Sequence, residues 1–581
     1  MLLNTSTRLV FKHESKDEDF QERAKSLADC LSVDPYFAMI LISRGIVDEK
    51  QARAFLAPTL KNDLPDPSNI KGIQRAAEIV AEAVLEKKNI TVFTDFDVDG
   101  LSSGAQLVLF LKQCGARVSS YTPNRFTEGY GLSADAVRKI AECGASLLVT
   151  VDCGISNKAE ITLAKELGMK SVILDHHLPH EMPEADAVVD PAQEGCPFNP
   201  YGLAAAGLVF MFLIVLRRAF IEKGLTKVPN PKDFLDLAAL GTICDMVPLQ
   251  GPNRLIALRG LEALERTTRP GLQSLKDVCG VKPGKSFSSG HVGFMLGPRI
   301  NAAGRVGEGK DVMELFTTPD SKKAKKLAKS MDKLNQKRQF LEREGLRVSL
   351  ELLEDVESRS SIAVYHESFH LGVIGIIAQR LVEKHHKPTA VMGPSALDSE
   401  DPIIKGSVRS ISAFHVADNL EKLEHLLLNF GGHAAAGGFS LKLSKLEEFG
   451  AAWEKLANSC LTEDDLAPKQ KVDLEISLEH INFEFVSNLK SLEPFGVGNP
   501  SPVFYSDQLE VESVKQIGEN HLKLLLSQQK KKIQAVAWKL AGHPLLVKGK
   551  TIRAAYSPEI NNYGGVSTVQ LNIKEVWTDS V

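Results

Sequence analysis

Eight acidic and imidazole side chains that could bind metal ions stand at or near the ends of short apolar stretches. They are Asp95, Asp97, Asp99, Asp152, Asp175, His176, His177 and Asp245. The apolar stretches that precede them are residues 90–93, 147–151, 172–174 and 234–243. Carboxylates combined with imidazoles suit Mn²⁺ or Mg²⁺ better than a metal that prefers thiolates. Two such ions about 3.5–4 Å apart can activate a water and neutralise a leaving oxygen, so the pattern predicts a two-metal hydrolase site.

The segments between these residues predict the fold that must bring them together. From about residue 88 to 250, short apolar strands alternate with helical stretches such as 102–114 and 157–168. This alternation is typical of a buried parallel sheet with helices on both faces. Because the carboxyl ends of parallel strands line one crevice, we expect the acids and histidines to converge there. One aspartate at a strand end usually caps a helix or stabilises a turn, but four such segments favour a shared site.

Two further motifs resemble metal sites but lack the structural context that those sites require. Residues 95–106 begin like an EF-hand loop, yet the twelfth position is Gln106 instead of glutamate, and a strand is predicted before the motif. His-Glu-Ser-Phe-His at 366–370 spells H-E-x-x-H, but a strand is predicted before it and a helix only from about 372. Its two imidazoles would then not share a helical face. We predict neither a calcium loop nor a zinc protease.

The rest of the chain predicts an α/β multidomain protein, because 581 residues are too many for one core. From 320 to about 356 there is no proline and apolar residues recur every three or four positions, which predicts one long helix. The predicted divisions are an N-terminal helical region (1–85), a first α/β domain with a parallel sheet and a helical extension (86–318), a long connecting helix (319–357), a second α/β domain (358–462) and a β-barrel domain (463–581).

Composition narrows the class of protein. The formal net charge of -4 excludes a generally basic nucleic-acid coat, so a nucleic acid would bind in a local positive groove. The longest apolar run, 203–216, is shorter than a membrane span and predicts a buried helix. The N-terminal residues lack the apolar segment of a signal peptide. The 8 cysteines form no C-x-x-C pair. These features predict a cytoplasmic protein that does not contact a membrane.

Several segments, in order along the chain, resemble a known family. DFDVDG (95–100), VDCG (151–154), LDHH (174–177) and the aspartate of GTICDMVPL (241–249) resemble the motifs of the DHH phosphoesterase superfamily. GPRINAAGR (297–305), FHLGVIGIIAQRLVEKHHKP (369–388), GSVRS (406–410), GGHAAAGG (431–438) and PFGVGNPSPVF (494–504) resemble the bacterial RecJ family of single-strand-specific exonucleases. The resemblance extends from about 65 to 575. It implies a DHH metal domain, a DHH-associated substrate-binding domain and an OB-like nucleic-acid-binding barrel.

The resemblance implies a set of metal ligands and catalytic residues. Two Mn²⁺ or Mg²⁺ ions would be bound by Asp95, Asp97, Asp152, His176 and Asp245. Asp152 would bridge the two ions, and His177 would face the scissile phosphate with Asp175 behind it. Asp99 is assigned to the catalytic group with them. Thr91 stands where the pyrophosphatase branch of the superfamily has a histidine ligand, which argues against a pyrophosphatase.

A second set of residues is implied to bind the substrate. Its members are Arg125, Arg299, Asn301, Arg305, His370, Ser407, Arg409, Gly431, Gly432 and His433. Ser407 and Arg409 would hold the terminal 5′ phosphate, because a hydroxyl beside a forked guanidinium suits a phosphate dianion. Gly431 and Gly432 would let the backbone approach a nucleotide. The alternatives are that such arginines are solvated surface residues and that GGHAAAGG is a tight contact between helices.

In the barrel, lysines 530–532 with His521 and Trp538 are candidate contacts for a single strand, although a lysine run is also typical of a solvated hairpin.

The implied function is hydrolysis of single-stranded DNA from 5′ to 3′ into 5′-mononucleotides, in DNA repair and recombination. One alternative is a phosphoesterase for short oligonucleotides or cyclic dinucleotides. The other is a non-catalytic single-strand-binding replication scaffold, which would be expected to have lost its acids. By family analogy the partners are single-stranded DNA, a helicase and a single-strand-binding protein, and a self-contained site suits a monomer.

Overall fold

The structure is a computed structural model that describes residues 7–12, 17–124, 128–129, 131–179, 181–198, 202–281, 287–396, 401–563 and 566–578. Contacts between residues divide the chain into two units. The large unit consists of Phe11–Lys333 and Val472–Val581, and the small unit consists of Met1–Val10 and Leu334–Lys471.

The N-terminal region is mainly helical, as its sequence pattern predicts. Its elements are β1 (Arg8–Phe11), α1 (Glu18–Leu31), α2 (Pro35–Ser43), α3 (Glu49–Leu56) and α4 (Ile73–Leu85). Asp17, Asp34 and Asp48 precede the first three helices, and their side chains accept backbone N–H groups of the first turn. These caps fix where the helices begin.

A five-stranded parallel sheet forms the centre of the first α/β domain. Its elements are β2 (Asn89–Thr94), α5 (Val98–Gln113), β3 (Arg117–Tyr121), α6 (Ala134–Glu142), β4 (Leu147–Val151), α7 (Lys158–Glu166), β5 (Lys170–Leu174) and β6 (Ala187–Val189). The strand order is β3-β2-β4-β5-β6, and every pairing is parallel. Strand β4 is buried along its whole length, which explains its uninterrupted apolar sequence. The predicted parallel sheet is confirmed.

Helices continue the chain beyond this sheet. They are α8 (Ala205–Glu222), α9 (Leu235–Cys244), α10 (Gly251–Arg266), α11 (Pro270–Val278), α12 (Ser289–His291), a π-helix (Val292–Leu296), α13 (Gly297–Val306), α14 (Lys310–Thr317) and α15 (Ser321–Leu352). The apolar run at 203–216 lies mostly in α8 and is almost entirely buried. Within the described residues no single helix is long and apolar enough to span a membrane, although the bent pair α1 and α2 passes by length and composition.

The small unit contains the second α/β sheet. Its elements after α15 are β7 (Ile362–Tyr365), α16 (Ile374–His385), β8 (Thr389–Ala396), β9 (Ile403–Arg409), α17 (Val416–Glu421), β10 (Asn429–Gly432), β11 (Ala436–Lys442), α18 (Leu446–Cys460), α19 (Glu463–Leu466) and β12 (Lys469–Val472), whose last residue belongs to the large unit. The strand order is β10-β11-β9-β8-β7, with only β7 and β8 parallel. The GGHAAAGG segment forms the β10–β11 hairpin, so the alternative of a contact between helices is wrong.

The C-terminal strands close into a barrel. The elements are β13 (Leu474–Glu475), α20 (Phe483–Lys490), β14 (Phe504–Ile517), β15 (His521–Gln528), β16 (Lys531–Ala537), β17 (Thr551–Tyr563) and β18 (Val566–Thr578). The order is β13-β14-β15-β16-β18-β17, and β14 also pairs with β17. This second pairing of β14 closes the sheet, as expected for the predicted OB-like barrel.

Candidate metal centre

The carboxyl ends of three parallel strands and the end of α9 bring the predicted ligands together. Nε2 of His176, after β5, lies 3.1 Å from Oδ1 of Asp152, after β4. The same Nε2 lies 3.9 Å from Oδ2 of Asp99, and Nδ1 of His176 lies 3.9 Å from Oδ2 of Asp245. Segments that are distant in the sequence therefore meet around one imidazole, as the strand-end pattern predicts.

Three overlapping groups of side chains have ligand atoms close enough to hold cations. In each group the candidate ligand atoms all lie within 4.8 Å of one another. The groups are Asp95 with Asp97 and Asp152; Asp99 with His176 and Asp245; and Asp152 with His176 and His177. Asp152 belongs to two of the groups, which is the arrangement a bridging carboxylate requires. The donors are carboxylate oxygens and imidazole nitrogens, so the set fits Mn²⁺ or Mg²⁺.

Burial and mutual repulsion make this cluster unfavourable without cations. Burial, followed by the charges of Asp99 and Asp97, raises the pKa of Asp152 well above its usual range. Burial and the neighbouring carboxylates also raise the pKa values of Asp99 and Asp245. Burial lowers the pKa of His176 and favours the neutral imidazole, which is the form that binds a metal. Divalent cations would neutralise this concentration of negative charge.

Local backbone geometry fixes the direction of the ligands. Asp97 caps α5, because its Oδ1 accepts the backbone N–H groups of Asp99 and Gly100 at 2.8 and 3.1 Å. A Cβ at Gly100 would lie 2.8 Å from the carbonyl oxygen of Asp95, so only glycine permits this tight turn. Asp152 has a φ of 64°, which is uncommon for a residue with a Cβ and is found at functional sites.

The carboxylate of Asp99 is hydrogen-bonded to the start of α8. Its Oδ2 accepts the backbone N–H of Ala205 at 2.7 Å, and its Oδ1 accepts that of Ala206 at 2.8 Å. These N–H groups belong to the first turn of α8, where an anion is favourable. Sequence reasoning missed this contact, because backbone donors carry no residue-type signal.

Asp175 orients the ring of His177. Oδ1 of Asp175 lies 2.7 Å from Nδ1 of His177, and Oδ2 accepts the backbone N–H of Ile155 at 3.0 Å. Burial, the largest single effect, opposes ionisation of Asp175, but the hydrogen bond and charge of His177, the Ile155 N–H and the charge of His176 together outweigh it and lower the pKa of Asp175. Burial is also the largest single effect on His177 and acts to lower its pKa, but the hydrogen bond and charge of Asp175, with the charges of Asp245 and Asp95, together outweigh it and raise that pKa. A carboxylate bonded to Nδ1 holds an imidazole in one orientation.

Helix α13 packs against two of the ligand-bearing segments. A Cβ at Gly304 would lie 3.0 Å from the carbonyl oxygen of Phe96, which stands between Asp95 and Asp97. A Cβ at Gly297 would lie 2.7 Å from Sγ of Cys244, the residue before Asp245. Both glycines therefore allow the helix to approach the site closely.

Helix α13 also carries three of the predicted substrate residues. They are Arg299, Asn301 and Arg305. Nε of Arg299 donates to Asp332 at 2.8 Å and its Nη1 donates to the carbonyl of Met295 at 2.9 Å, so this side chain is held by the protein itself. Arg125 lies outside the described residues.

A loop of the barrel domain supports the segment that follows Asp245. The backbone N–H of Leu249 donates to the carbonyl of Val497 at 2.7 Å, and Nε2 of Gln250 donates to the carbonyl of Gly498 at 2.9 Å. A Cβ at Gly498 would lie 3.0 Å from Pro248, so the glycine permits this approach. The PFGVGNP segment thus has a structural contact that its sequence does not disclose.

Arg254 strengthens the same contact. Its guanidinium donates to the carbonyls of Leu492 and Glu493 at 2.9 Å each, to that of Ser491 at 3.3 Å and to that of Phe55 at 3.0 Å. It also lies over the Phe55 ring, 3.8 Å from the centroid. One buried side chain therefore joins α10, the N-terminal helices and the barrel domain.

In the small unit, the sheet brings together most of the remaining predicted substrate residues. Gly438 on β11 pairs in register with Ser407 on β9 and with Gly431 on β10, and Ala436 pairs with Arg409. Nη1 of Arg409 donates to Oγ of Ser407 at 3.3 Å. The strand pairing therefore holds the predicted hydroxyl and guanidinium close to the glycine hairpin.

The start of α16 lies beside this pair. A Cβ at Gly375 would lie 2.9 Å from Oγ of Ser407 and 3.2 Å from Nη2 of Arg409. A hydroxyl, a guanidinium and a helix N-terminus at one place form a suitable environment for a phosphate.

Gly432, His433 and His370 each take part in close contacts or hydrogen bonds with backbone groups. Gly432 has a φ of 157° and no room for a Cβ, which would lie 2.5 Å from the carbonyl oxygen of Ala436. The backbone N–H of His433 donates to that same carbonyl at 2.8 Å. Nδ1 of His370 accepts the backbone N–H of Gly372 at 3.0 Å, and burial, followed by the charge of Lys337, lowers the pKa of His370. His366 and His370 both precede α16, so they do not share a helical face.

Comparison with known families gives three matches. Residues 89–242 match the DHH family, N-terminal domain; residues 359–459 match the DHHA1 domain; and residues 472–575 match the RecJ OB domain.

Individual relatives match over most of the chain. A Bacillus subtilis (strain 168) protein named Single-stranded-DNA-specific exonuclease RecJ is 36% identical over 560 residues, which cover 96% of this chain and 69% of the relative. A protein of the same name from Dickeya dadantii (strain 3937) is 35% identical, with 87% of this chain and 90% of the relative covered. The crystal structure of RecJ in complex with Mn²⁺ from Thermus thermophilus aligns with a TM-score of 0.84 and 28% identity, covering 99% of this chain and 80% of that one.

Proposed function

The chain belongs to the RecJ family of single-stranded-DNA-specific exonucleases, and we propose that it hydrolyses single-stranded DNA from 5′ to 3′ into 5′-mononucleotides. The observation that carries this proposal is the convergence of Asp152, His176 and Asp245 from separate segments. Hydrolysis of single strands serves DNA repair and recombination. A catalytically inactive scaffold is disfavoured, because the chain retains the complete set of acids and histidines.

The cofactors are divalent cations, Mn²⁺ or Mg²⁺, which are the ions named for the solved RecJ structures, and we propose that this chain holds two of them. We assign their ligands as Asp95, Asp97, Asp152, His176 and Asp245, with Asp152 as the bridge. When bound, such a pair activates a water and neutralises charge on the phosphate and the leaving 3′ oxygen. The protein contributes a rigid arrangement of the ligands, which the strand ends and the Asp97 cap provide.

His177 is assigned to the scissile phosphate and Asp175 to its orientation. The 2.7 Å contact with Asp175 stabilises the protonated imidazole, which can donate a charge-assisted hydrogen bond to a phosphate oxygen. Asp99 is assigned mainly a positioning role, because both of its oxygens accept N–H groups of α8.

The small unit is proposed to anchor the terminal 5′ phosphate through Ser407 and Arg409. This proposal is supported by the proximity of the two side chains to each other and to the start of α16. Gly431, Gly432 and His433 would present the backbone of the adjacent hairpin to a nucleotide. In the large unit, Arg299, Asn301 and Arg305 would line the path of the strand, as would Arg125.

The cellular setting follows from the proposed substrate. We propose a cytoplasmic monomer that acts on single strands supplied by a helicase and covered by a single-strand-binding protein. The barrel domain is proposed to bind a part of the strand that is not at the metal centre. Trp538, which is 48% exposed, would provide a surface on which a base can stack.

The test is a degradation assay on the full chain with three labelled substrates: single-stranded DNA, duplex DNA and a dinucleotide, each with Mn²⁺ or with EDTA. We expect release of mononucleotides from the single strand only, and only with Mn²⁺. Cleavage confined to the dinucleotide would instead identify a small-substrate phosphoesterase. Binding of the single strand without cleavage in Mn²⁺ and in Mg²⁺ would identify a scaffold.

A further inference from the structure

A cavity with a basic rim lies at the C-terminal end of α8. Its volume is about 390 Å³, within the range of small-molecule sites. The walls come from the loop at 60–67, from α8 and from residues 230–232. The apolar part of the wall consists of Leu60, Leu64, Phe210 and Ile214, which continue into a hydrophobic cluster. The cavity can therefore accept an apolar group.

Four cationic side chains line the same cavity: Lys61, Arg217, Arg218 and Lys232. Arg218 donates to Asp66 at 3.2 Å and to Ser68 at 3.0 Å. Within the described part of the chain, the side chains of the other three have no carboxylate partner. Nε of Arg217 is shielded from solvent and has no acceptor among the described residues. The one carboxylate among the described lining residues, Asp66, is engaged by Arg218, so the cavity offers three cations for which an anion would be a favourable partner.

We propose that this cavity binds a small organic phosphate, such as a nucleoside monophosphate, with its phosphate on Arg217 and Lys232 and its apolar part on the Leu60–Leu64 wall. A bare phosphate would leave the apolar wall in contact with water. An uncharged apolar molecule would leave the cations without a partner. A ligand that has both parts satisfies both surfaces.

The cavity is separate from the metal centre. Helix α8 begins at Ala205, whose N–H binds Asp99, whereas Arg217 lies twelve residues later. At 1.5 Å per residue this is about 18 Å along the helix axis. A phosphate on Arg217 would therefore lie well away from the contact that Asp99 makes at the start of the same helix.

The test is equilibrium binding to the full chain in EDTA, in an Asp152→Asn, Arg409→Ala background that weakens the two proposed substrate sites. The probes are dAMP, deoxyadenosine and inorganic phosphate. We expect dAMP to bind at least about tenfold more tightly than either other probe, since each lacks one of the two contacts. Equal affinity of dAMP and inorganic phosphate, or absence of dAMP binding, would overturn the proposal.

Variants locate the binding site. Arg217→Met and, separately, the exposed Lys232→Met should each weaken dAMP binding by about tenfold or more. The control is Lys223→Met, which removes a cation from the same end of α8 but outside the cavity lining. Hydrogen exchange should show that dAMP protects residues 60–67 and 230–232. Unchanged affinity in the Lys232 variant together with unchanged exchange in those segments would contradict the assignment, even if the Arg217 variant failed to fold.

Discussion

The carboxylate of Asp99 accepts the backbone N–H of Ala205 at 2.7 Å, so the first turn of α5, which follows the loop that carries Asp95 and Asp97, is hydrogen-bonded to the first turn of α8. The side chain of Asp99 is almost fully buried. Because this carboxylate accepts two backbone N–H groups, it stabilises the start of α8 as well as belonging to the acidic cluster.

Asp99→Ala should therefore loosen the start of α8. In saturating Mn²⁺ we expect the free energy of unfolding to fall by roughly 2–4 kcal/mol, because two buried N–H groups lose their acceptor. Hydrogen exchange at Ala205 and Ala206 should accelerate. Asp135→Ala, at an exposed position on α6, is the control. If the backbone amide of Ala205 exchanged hydrogen at the wild-type rate in the variant, the positioning role of Asp99 would be contradicted.

Asp152→Ala should abolish hydrolysis while single-strand binding largely survives. The bridge contributes to both cation sites, so turnover in saturating Mn²⁺ should fall on the order of 1,000-fold. Turnover is measured by mononucleotide release, and binding by fluorescence anisotropy. Near-wild-type turnover in this variant would refute the assigned bridge.

Arg409→Ala should impair degradation of 5′-phosphorylated strands more than of 5′-hydroxyl strands. Removing a charge-assisted hydrogen bond that only the phosphorylated substrate makes should produce a difference of about tenfold or more in kcat/KM. Competition between the two labelled strands measures it directly. An equal decrease in kcat/KM on both substrates would contradict the proposal that Arg409 holds the 5′ phosphate.

Ionisation of Asp190 should lower the free energy of unfolding as the pH rises. Burial raises the pKa of Asp190 to about 7, from 3.8 in an unperturbed carboxyl. Between these two values the unfolded chain binds fewer protons than the folded one, so folding becomes less favourable with increasing pH.

Asp190→Asn removes this pH-dependent loss and retains an oxygen for the backbone N–H of Ala192, which donates to Oδ1 at 2.7 Å. The stability gain of the variant over wild type should grow by roughly 2–3 kcal/mol between pH 5 and pH 8. Urea unfolding in EDTA measures it, with Asp135→Asn as the control. A gain that is the same at both pH values would contradict the expectation.

Arg254→Met should weaken the contact between α10 and the barrel domain. Four carbonyl acceptors would lose their donor, and we expect the free energy of unfolding to fall by about 2–3 kcal/mol. The affinity for Mn²⁺ should fall as well, because the segment after Asp245 loses its support. Arg266→Met, exposed at the end of the same helix, should change neither quantity. A decrease in stability with unchanged Mn²⁺ affinity would show that the support does not reach Asp245.

The sequence could predict the parallel sheet and the meeting of its strand ends, because both depend on patterns of residue type. Apolar strands with acids directly after them leave few ways to fold, and Asp152 and His176 lie where that reasoning places them. The barrel and the long helix are predictable for the same reason, since a period of two and a period near 3.6 are local properties.

The contacts of Asp99 and Arg254 could not be predicted in this way. Their partners are backbone groups of Ala205 and of residues 491–493, and any residue type supplies such groups. The GGHAAAGG segment was ambiguous for a related reason: small residues permit close approach of either helices or strands, and only the pairing with β9 decides it.

The acceptors of Arg254 in the barrel domain are synthesised long after Arg254 itself, since Ser491 and Glu493 follow it by 237 and 239 residues. A chain still emerging from the ribosome therefore contains every proposed metal ligand well before the loop that supports Asp245 exists. The hydrogen bonds from Leu249 and Gln250 to the carbonyls of Val497 and Gly498 therefore form only once the barrel domain has been translated.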